Sequence, residues 1–204
     1  MEITDKYLPN PETKYYINME KKKTLVEIFK EIGHFGEDIG CNDKNGTHTY
    51  LETYDKLFEP FKNNSTILEI GLATGDSIKL WDRYFNKSKI VGIDLSIVFK
   101  SEDNNNLNLI YLIEGDATKP EILEELPEWR FDIIIDDGSH QTQDQLTTFF
   151  LFNHRMNKGG LYIIEDILAL DQEREKYLAL HDNVEIIDMR DNGRFDNVLI
   201  VIQF

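Results

Sequence analysis

From Ser65 onward, short apolar runs alternate with longer segments whose apolar residues recur at helical spacing. The order is TILEIG, SIKLWDRYF, KIVGIDL, a polar loop (SEDNNNLN, 101–108), LIYLIEGD, EILEEL, FDIIIDD, QDQLTTFFLFNHRM and LYIIEDI. Strands separated by helices run parallel, because a crossover helix carries the chain back to the same end of the sheet. The pattern therefore predicts βαβ units and a parallel sheet covered by helices on both faces. The last segments break the rhythm: VEIIDM and NVLIVIQF are separated only by RDNGRFD, and Asn192-Gly193 predicts a hairpin turn. The expected fold class is α/β, a doubly wound, mostly parallel sheet closed by a C-terminal antiparallel hairpin.

Upstream, Leu25, Ile28, Phe29 and Ile32 predict an amphipathic helix within Lys21 to Ile32. Tyr50, Tyr54, Leu57, Phe58 and Phe61 form the apolar stripe of a second helix over Tyr50 to Phe61. The first 18 residues are polar, carry Pro9 and Pro11, and read as an arm, and Gly40 to Tyr50 (GCNDKNGTHTY) reads as a loop. Two units are expected: 1–62, an arm with two helices that serves as a lid or oligomer contact, and 63–204, the sheet domain.

Charge narrows the partners. Lys and Arg total 22 against 38 Asp and Glu, and a net charge of −16 repels phosphate backbones and anionic membrane surfaces. A nucleic-acid or membrane partner is not expected, and a small-molecule partner or a homo-oligomer is compatible. The single Cys41 forms no intrachain disulfide, the first residues lack the apolar stretch of a secretory signal, and no apolar run reaches the ~20 residues that cross a bilayer. A cytoplasmic setting is expected.

In a doubly wound sheet, ligands lie beyond the carboxyl ends of the strands, where strand order reverses. Four predicted strand ends carry acids. Glu69 opens EIGLATG, whose Gly71, Ala73 and Gly75 allow a sharp turn and close approach of a ligand to the backbone. Asp94 in VGIDL can accept both hydroxyls of a ribose. Asp116, followed by Ala117, can accept a hydrogen bond from an adenine amino group. The fourth end is the Asp136-Asp137 pair, of which Asp136 is expected to support the strand end or cofactor pocket. EIGLATG does not fit the G-x-G-x-x-G of dinucleotide enzymes. It resembles the E/D-x-G-x-x-x-G motif of methyltransferases, and a parallel sheet ending in a hairpin resembles the Rossmann-like methyltransferase fold. S-adenosyl-L-methionine is the cofactor this implies.

FDIIIDDGSH and LYIIEDI end successive strands. As neighbours, their tips lie about 4.8 Å apart, bringing Asp137, Glu165 and Asp166 together. Three clustered carboxylates repel one another unless a cation neutralises them, and oxygen donors favour Mg²⁺, Mn²⁺ or Ca²⁺ over zinc. A divalent ion held by these three would grip a substrate hydroxyl and lower its pKa. His140, three residues after Asp137, is the candidate general base. Helix capping is the alternative for Asp137 and Asp166, and a helix-start role is the alternative for His140.

FDIIIDDGSH with Gln145 downstream, then GGLYIIEDI, resembles the macrocin and mycinamicin sugar O-methyltransferases and the cephalosporin hydroxylase-like proteins. The blocks NDKNGTHTYLETYDKLFEPF, LEIGLATGDSIKLWDRYF and VGIDL extend the likeness over roughly residues 40 to 168. The resemblance implies a magnesium ion on Asp137, Glu165 and Asp166, His140 as base, cofactor contacts at Glu69, Gly71, Gly75 and Asp94, and a sugar hydroxyl as acceptor. Two other functions compete: an NAD-dependent oxidoreductase, which shares the glycine turn and Asp94, and a noncatalytic protein that only binds the cofactor. His48 and Tyr50 are candidates for the pocket mouth, with Tyr50 assigned by preference to its helix stripe. Trp81 and Tyr84 read as core, Trp129 as preceding a strand, Lys21 to Lys23 as a solvated helix start, and His154 and His181 as structural or exposed.

Overall fold

The computed structural model describes residues 23–32, 44, 48–98 and 108–204. The whole N-terminal arm, Lys21, Lys22, Cys41, most of the Gly40 to Tyr50 loop and the polar run before Asn108 lie outside the described residues.

One sheet holds seven strands: β1 (Thr66–Ile70), β2 (Lys89–Asp94), β3 (Leu109–Glu114), β4 (Phe131–Asp136), β5 (Met156–Ile164), β6 (Val184–Asp188) and β7 (Val198–Gln203). Their spatial order is β3-β2-β1-β4-β5-β7-β6. The first five pair in parallel, while β7 runs antiparallel between β5 and β6. The order reverses between β1 and β4, so the crevice favoured for ligands opens at their carboxyl ends. The expected α/β fold class, including its antiparallel ending, is what forms.

The hairpin differs in one respect. Asn192 ends a short 3₁₀ turn (Arg190–Asn192) and Gly193 caps it with φ +89°, so the pair is not a two-residue β-turn. Residues 189–197 form a longer loop, clamped where the Met189 amide donates to the Asn197 carbonyl at 2.9 Å. Its extra length carries Arg194 and Asp196 back to the carboxyl edge of the sheet.

The helices described over their length are α1 (Leu25–Ile32), α2 (Leu51–Phe58), α3 (Asp76–Tyr84), α4 (Ile122–Glu125), α5 (Thr142–Phe152) and α6 (Leu170–Leu178). Pro60 supplies no amide hydrogen and stops α2 short of Phe61, leaving Glu59–Phe61 as a 3₁₀ turn. None of the described helices is long and apolar enough to cross a membrane.

Side chains alternate across each strand, and two apolar layers result. Ile67, Ile133, Ile135 and Ile163 pack with Leu25, Leu51, Tyr54, Phe58 and Trp81 from α1, α2 and α3. Leu68, Ile134, Tyr162 and Ile164 pack with Phe149, Phe152, Leu170 and Tyr177 from α5 and α6. The described helices of the N-terminal unit thus share the core of the sheet. Trp81 and Tyr84 are buried, as expected, and Trp129 precedes β4, meeting Tyr111 edge-on beneath the Lys89 ammonium.

Phe58 ties α2 to this core: it is fully buried, stacks on Tyr54 at 4.7 Å and meets Trp81 edge-on at 5.7 Å. Phe58→Ala is expected to cost about 3–5 kcal/mol, the usual range for a fully buried ring. Urea denaturation measures it; a loss below ~1 kcal/mol would place α2 outside the cooperative core.

Candidate functional site

Parallel pairing continues one residue past the strands. The amides of Gly115, Gly71, Asp137 and Glu165 donate to the carbonyls of Asp94, Ile93, Ile70 and Asp136 at 2.8, 2.8, 2.8 and 3.0 Å. The strand-end residues therefore stand side by side along the crevice. A Cβ on Gly71, where φ is +84°, would come within 2.0 Å of the Asp137 carbonyl oxygen. Glycine is required there by the passage of β4's tip, as well as by the turn.

The two-residue alternation decides which acids meet. Glu69 shares the α2 face with Ile67; Asp137 follows Ile133 and Ile135 onto that face, and Glu165 follows Ile163. Asp136 falls on the opposite face, where Thr148 donates to its Oδ2 and the Gly138 amide to its Oδ1 at 3.3 Å. By the same rule Asp166 belongs with Asp136. Its left-handed backbone, φ +55°, returns its carboxylate to the α2 side, where the Tyr50 hydroxyl donates to Oδ1 at 2.6 Å. His140 and Ala73 also hold positive φ, +59° and +44°. Such conformations cost about 1–3 kcal/mol each and cluster where function requires them.

A cation from the chain itself sits among these acids. The Lys44 ammonium, whose residue is 2 % exposed, donates to Asp137 Oδ2 at 2.6 Å and to both Glu165 oxygens at 2.8 Å. It lies 3.6 Å from Glu69 Oε1. Tyr54 donates to Glu165 Oε1 at 2.6 Å, while Ser77 and Trp81 donate to Glu69 Oε2 at 2.8 and 3.0 Å.

Burial opposes every charge here, and the neighbours decide the balance. Burial would push the Asp137 carboxyl up, but Lys44 and the bonds from His140 and Lys44 hold it below the usual range. Burial pushes Glu165 well up against the opposing pull of Lys44, with Asp137 and Asp166 adding to the rise. Asp166 is raised by burial and by Asp137. For Lys44, burial is outweighed by Asp137, Glu165 and Glu69, and the ammonium keeps its proton.

His140 is the partly open member, its side chain 31 % exposed, with Nε2 3.2 Å from Asp137 Oδ1 and 3.8 Å from Asp166 Oδ2. Donor atoms of Asp137, His140 and Asp166 all lie within 4.8 Å of one another, and their two carboxylates suit a hard divalent cation. Glu165, the expected third ligand, stands beside this group with its oxygens on Lys44 and Tyr54. Helix capping does not account for these acids: the N-cap of α5 is Gln141 and that of α6 is Ala169, neither with a side-chain cap hydrogen bond.

Behind Asp166 lies a second layer. His48 stacks on Tyr50 at 4.9 Å, with Nδ1 3.5 Å from Asp166 Oδ1. Arg194 Nε, which can only donate, reaches His48 Nε2 at 2.6 Å, and Asp196 Oδ1 lies 3.4 Å from the same nitrogen. Arg194 also pairs with Asp196 at 2.8 Å. His48, Asp166 and Asp196 could group about a metal, but this guanidinium already supplies their positive charge.

Two cavities meet at Gly71, Asp94 and Gly138. The larger, about 460 Å³, is lined by Ile93, Asp94, Leu95, Asp116, Ala117 and Asp136 among others. The smaller, about 250 Å³, is walled by Lys44, the 71–77 turn, Asp137 and His140.

The model of the FtsJ-like methyltransferases matches residues 51–188. The chain belongs to this family. Among curated relatives, 8-demethyl-8-alpha-L-rhamnosyl tetracenomycin-C 2'-O-methyltransferase of Streptomyces olivaceus is 33% identical over 136 residues, covering 62% of this chain and 35% of the relative. Demethylmacrocin O-methyltransferase of Streptomyces fradiae is 32% identical, covering 59% and 32%. The chain thus spans about a third of the length of these two relatives. The fold is similar to MycE methyltransferase of the mycinamycin biosynthetic pathway, solved with Mg and SAH, at TM-score 0.63 and 24% identity over 90% of this chain and 55% of that one. Membership in a methyltransferase family removes the dinucleotide oxidoreductase reading.

The cofactor residues expected of such a methyltransferase separate into walls and supports. Gly71, Ala73, Asp94, Asp116, Ala117 and Asp136 line one or both cavities. Gly75 shapes the turn as the left-handed cap before α3. Glu69 lines neither cavity and anchors the turn through Ser77 and Trp81. Asp94 accepts the Leu72 and Ala73 amides on Oδ2 at 2.7 and 3.1 Å and the Ser96 amide on Oδ1 at 3.0 Å. A carboxylate has about four acceptor positions, so one remains for a ligand. Asp116 takes both Thr118 bonds on Oδ1.

Lys44 and Tyr54 were not singled out as site residues in the sequence; Tyr50 packs in the core as its stripe role requires, while its hydroxyl also bonds Asp166. The available signal for Lys44 was the demand of clustered carboxylates for a cation, which a lysine meets as well as a metal does.

Burial pushes Asp136 up to about 7, with Asp137 adding to it and the Thr148 and Gly138 bonds opposing it. The folded state then binds this proton more tightly than the unfolded chain does. Its stabilisation is full below pH ~4 and is lost as pH rises to about 7. Asp136→Asn lacks that dependence. In chelator, the stability of wild type relative to the variant should fall by up to ~4 kcal/mol across this window. Denaturant titrations at stepped pH measure the difference, and a flat profile would mean that Asp136 keeps an ordinary pKa.

Proposed function

We propose that the protein transfers a methyl group from S-adenosylmethionine to a sugar hydroxyl of a glycosylated small molecule, assisted by a divalent cation such as Mg²⁺. The observation that carries this reading is the convergence of Asp137, His140 and Asp166 beside the smaller cavity, next to the glycine turn. The names of the similar enzymes support the acceptor class.

The residues fit both groups. The larger cavity offers Asp94 and Asp116 to a nucleoside, and the 71–77 turn lets the remainder pass into the smaller cavity. Asp137, Glu165 and Asp166 would hold the cation. When bound, the two groups supply an electrophilic methyl and a hydroxyl made more acidic.

The chain's own residues complete the chemistry. His140 accepts the hydroxyl proton on the ring nitrogen that Asp137 does not hold, as the new C–O bond forms and the S–CH₃ bond breaks, and its exposed edge then releases that proton to water. Asp137 Oδ1 orients the ring and stabilises its protonated form. Tyr50 and His48 fix the direction of Asp166.

Calorimetry with SAH and turnover assays on glycosylated acceptors test the reading together. SAH should bind wild type and His140→Ala alike, while His140→Ala lowers kcat by about 10²–10⁴, the usual worth of a general base. Absence of SAH binding, or undiminished turnover in both His140→Ala and Asp137→Asn, would overturn the proposal.

A further inference from the structure

Lys44 is an ammonium withdrawn from water, and its three carboxylate partners come from three different strands: Glu69 from near the end of β1, Asp137 just after β4 and Glu165 just after β5. Its nitrogen lies 2.6 Å from Asp137 and 2.8 Å from both oxygens of Glu165. A divalent ion shared by those two carboxylates would stand about 2.0–2.6 Å from their oxygens, at nearly the same point. Two cations cannot share that point, because their repulsion is least screened where water is excluded.

We propose that Lys44 is the resident counter-cation of this site, holding Asp137 and Glu165 together in the metal-free protein and giving up both when a divalent ion enters. The inference rests on the metal-assisted reading above and deepens it. Lys44 keeps the carboxylates converged without the ion, at the expense of the ion's affinity. Tyr54 holds Glu165 Oε1 throughout, so Glu165 need not swing away when the ammonium leaves. Lys44 is thus a positioning residue: it acts through Asp137 and Glu165.

Mn²⁺ binding to the full chain, followed by the electron paramagnetic resonance of the free ion, tests the competition. Lys44→Met should bind Mn²⁺ about tenfold more tightly than wild type, within the range usual for coupled sites. Lys44→Arg, which keeps the charge, should stay near wild type. A second measurement uses wild type alone and does not depend on a variant folding: acetic anhydride labelling of Lys44, read by mass spectrometry. Lys44 should be protected in chelator and become labelled at saturating Mn²⁺. Equal Mn²⁺ affinity in wild type and Lys44→Met, or equal protection of Lys44 with and without the ion, overturns the role of Lys44 and leaves the metal reading standing. Absence of Mn²⁺ binding by both proteins overturns the two together.

Discussion

A carboxylate taken out of water costs several kcal/mol unless a charge or hydrogen bonds replace the lost solvent. This protein gathers three of them, Glu69, Asp137 and Glu165, within 3.6 Å of one buried ammonium. The surroundings answer that demand from distant parts of the chain. Lys44 and Tyr54 come from before the sheet, Ser77 and Trp81 from α3, and His140 from the start of the α5 segment. Acids that would repel one another become a junction tying the N-terminal helices to the strand tips.

The strands supply the geometry. Parallel pairing sets the tips in a row, and a period of two sends Glu69, Asp137 and Glu165 to one face. Asp136 goes to the other, where it supports the larger cavity. This much was legible in the sequence, because both rules depend only on which residues are apolar and how they are spaced. FDIIIDD and LYIIED announced their tips. The exception, Asp166, depends on a left-handed backbone at a residue that is not glycine, a conformation no residue pattern encodes.

What the sequence hid lies in the long-range partners. Lys44 stands in a Gly- and Asn-containing stretch that reads as loop, and nothing local distinguishes it from a solvated lysine. Tyr54 repeats at helical spacing, so its ring reads correctly as core while its hydroxyl goes unnoticed. Arg194 belongs to a segment whose Asn-Gly pair mimics a tight turn, and only the paired strands reveal that the loop is longer. In each case one partner of the side chain lies more than 100 residues away along the chain.

The position of β7 sets the order in which this protein can be built. It leaves the ribosome after β6 yet lies between β5 and β6, so β6 has no partner in the sheet until β7 has paired. The five parallel strands can assemble during synthesis with their tips in register, leaving β5 as an open edge. The loop that presents Arg194 and Asp196 is anchored only when β7 closes that edge. The support behind Asp166 therefore cannot form before β7 has paired, and a nascent chain carries the acids of its site before it carries the means to aim them.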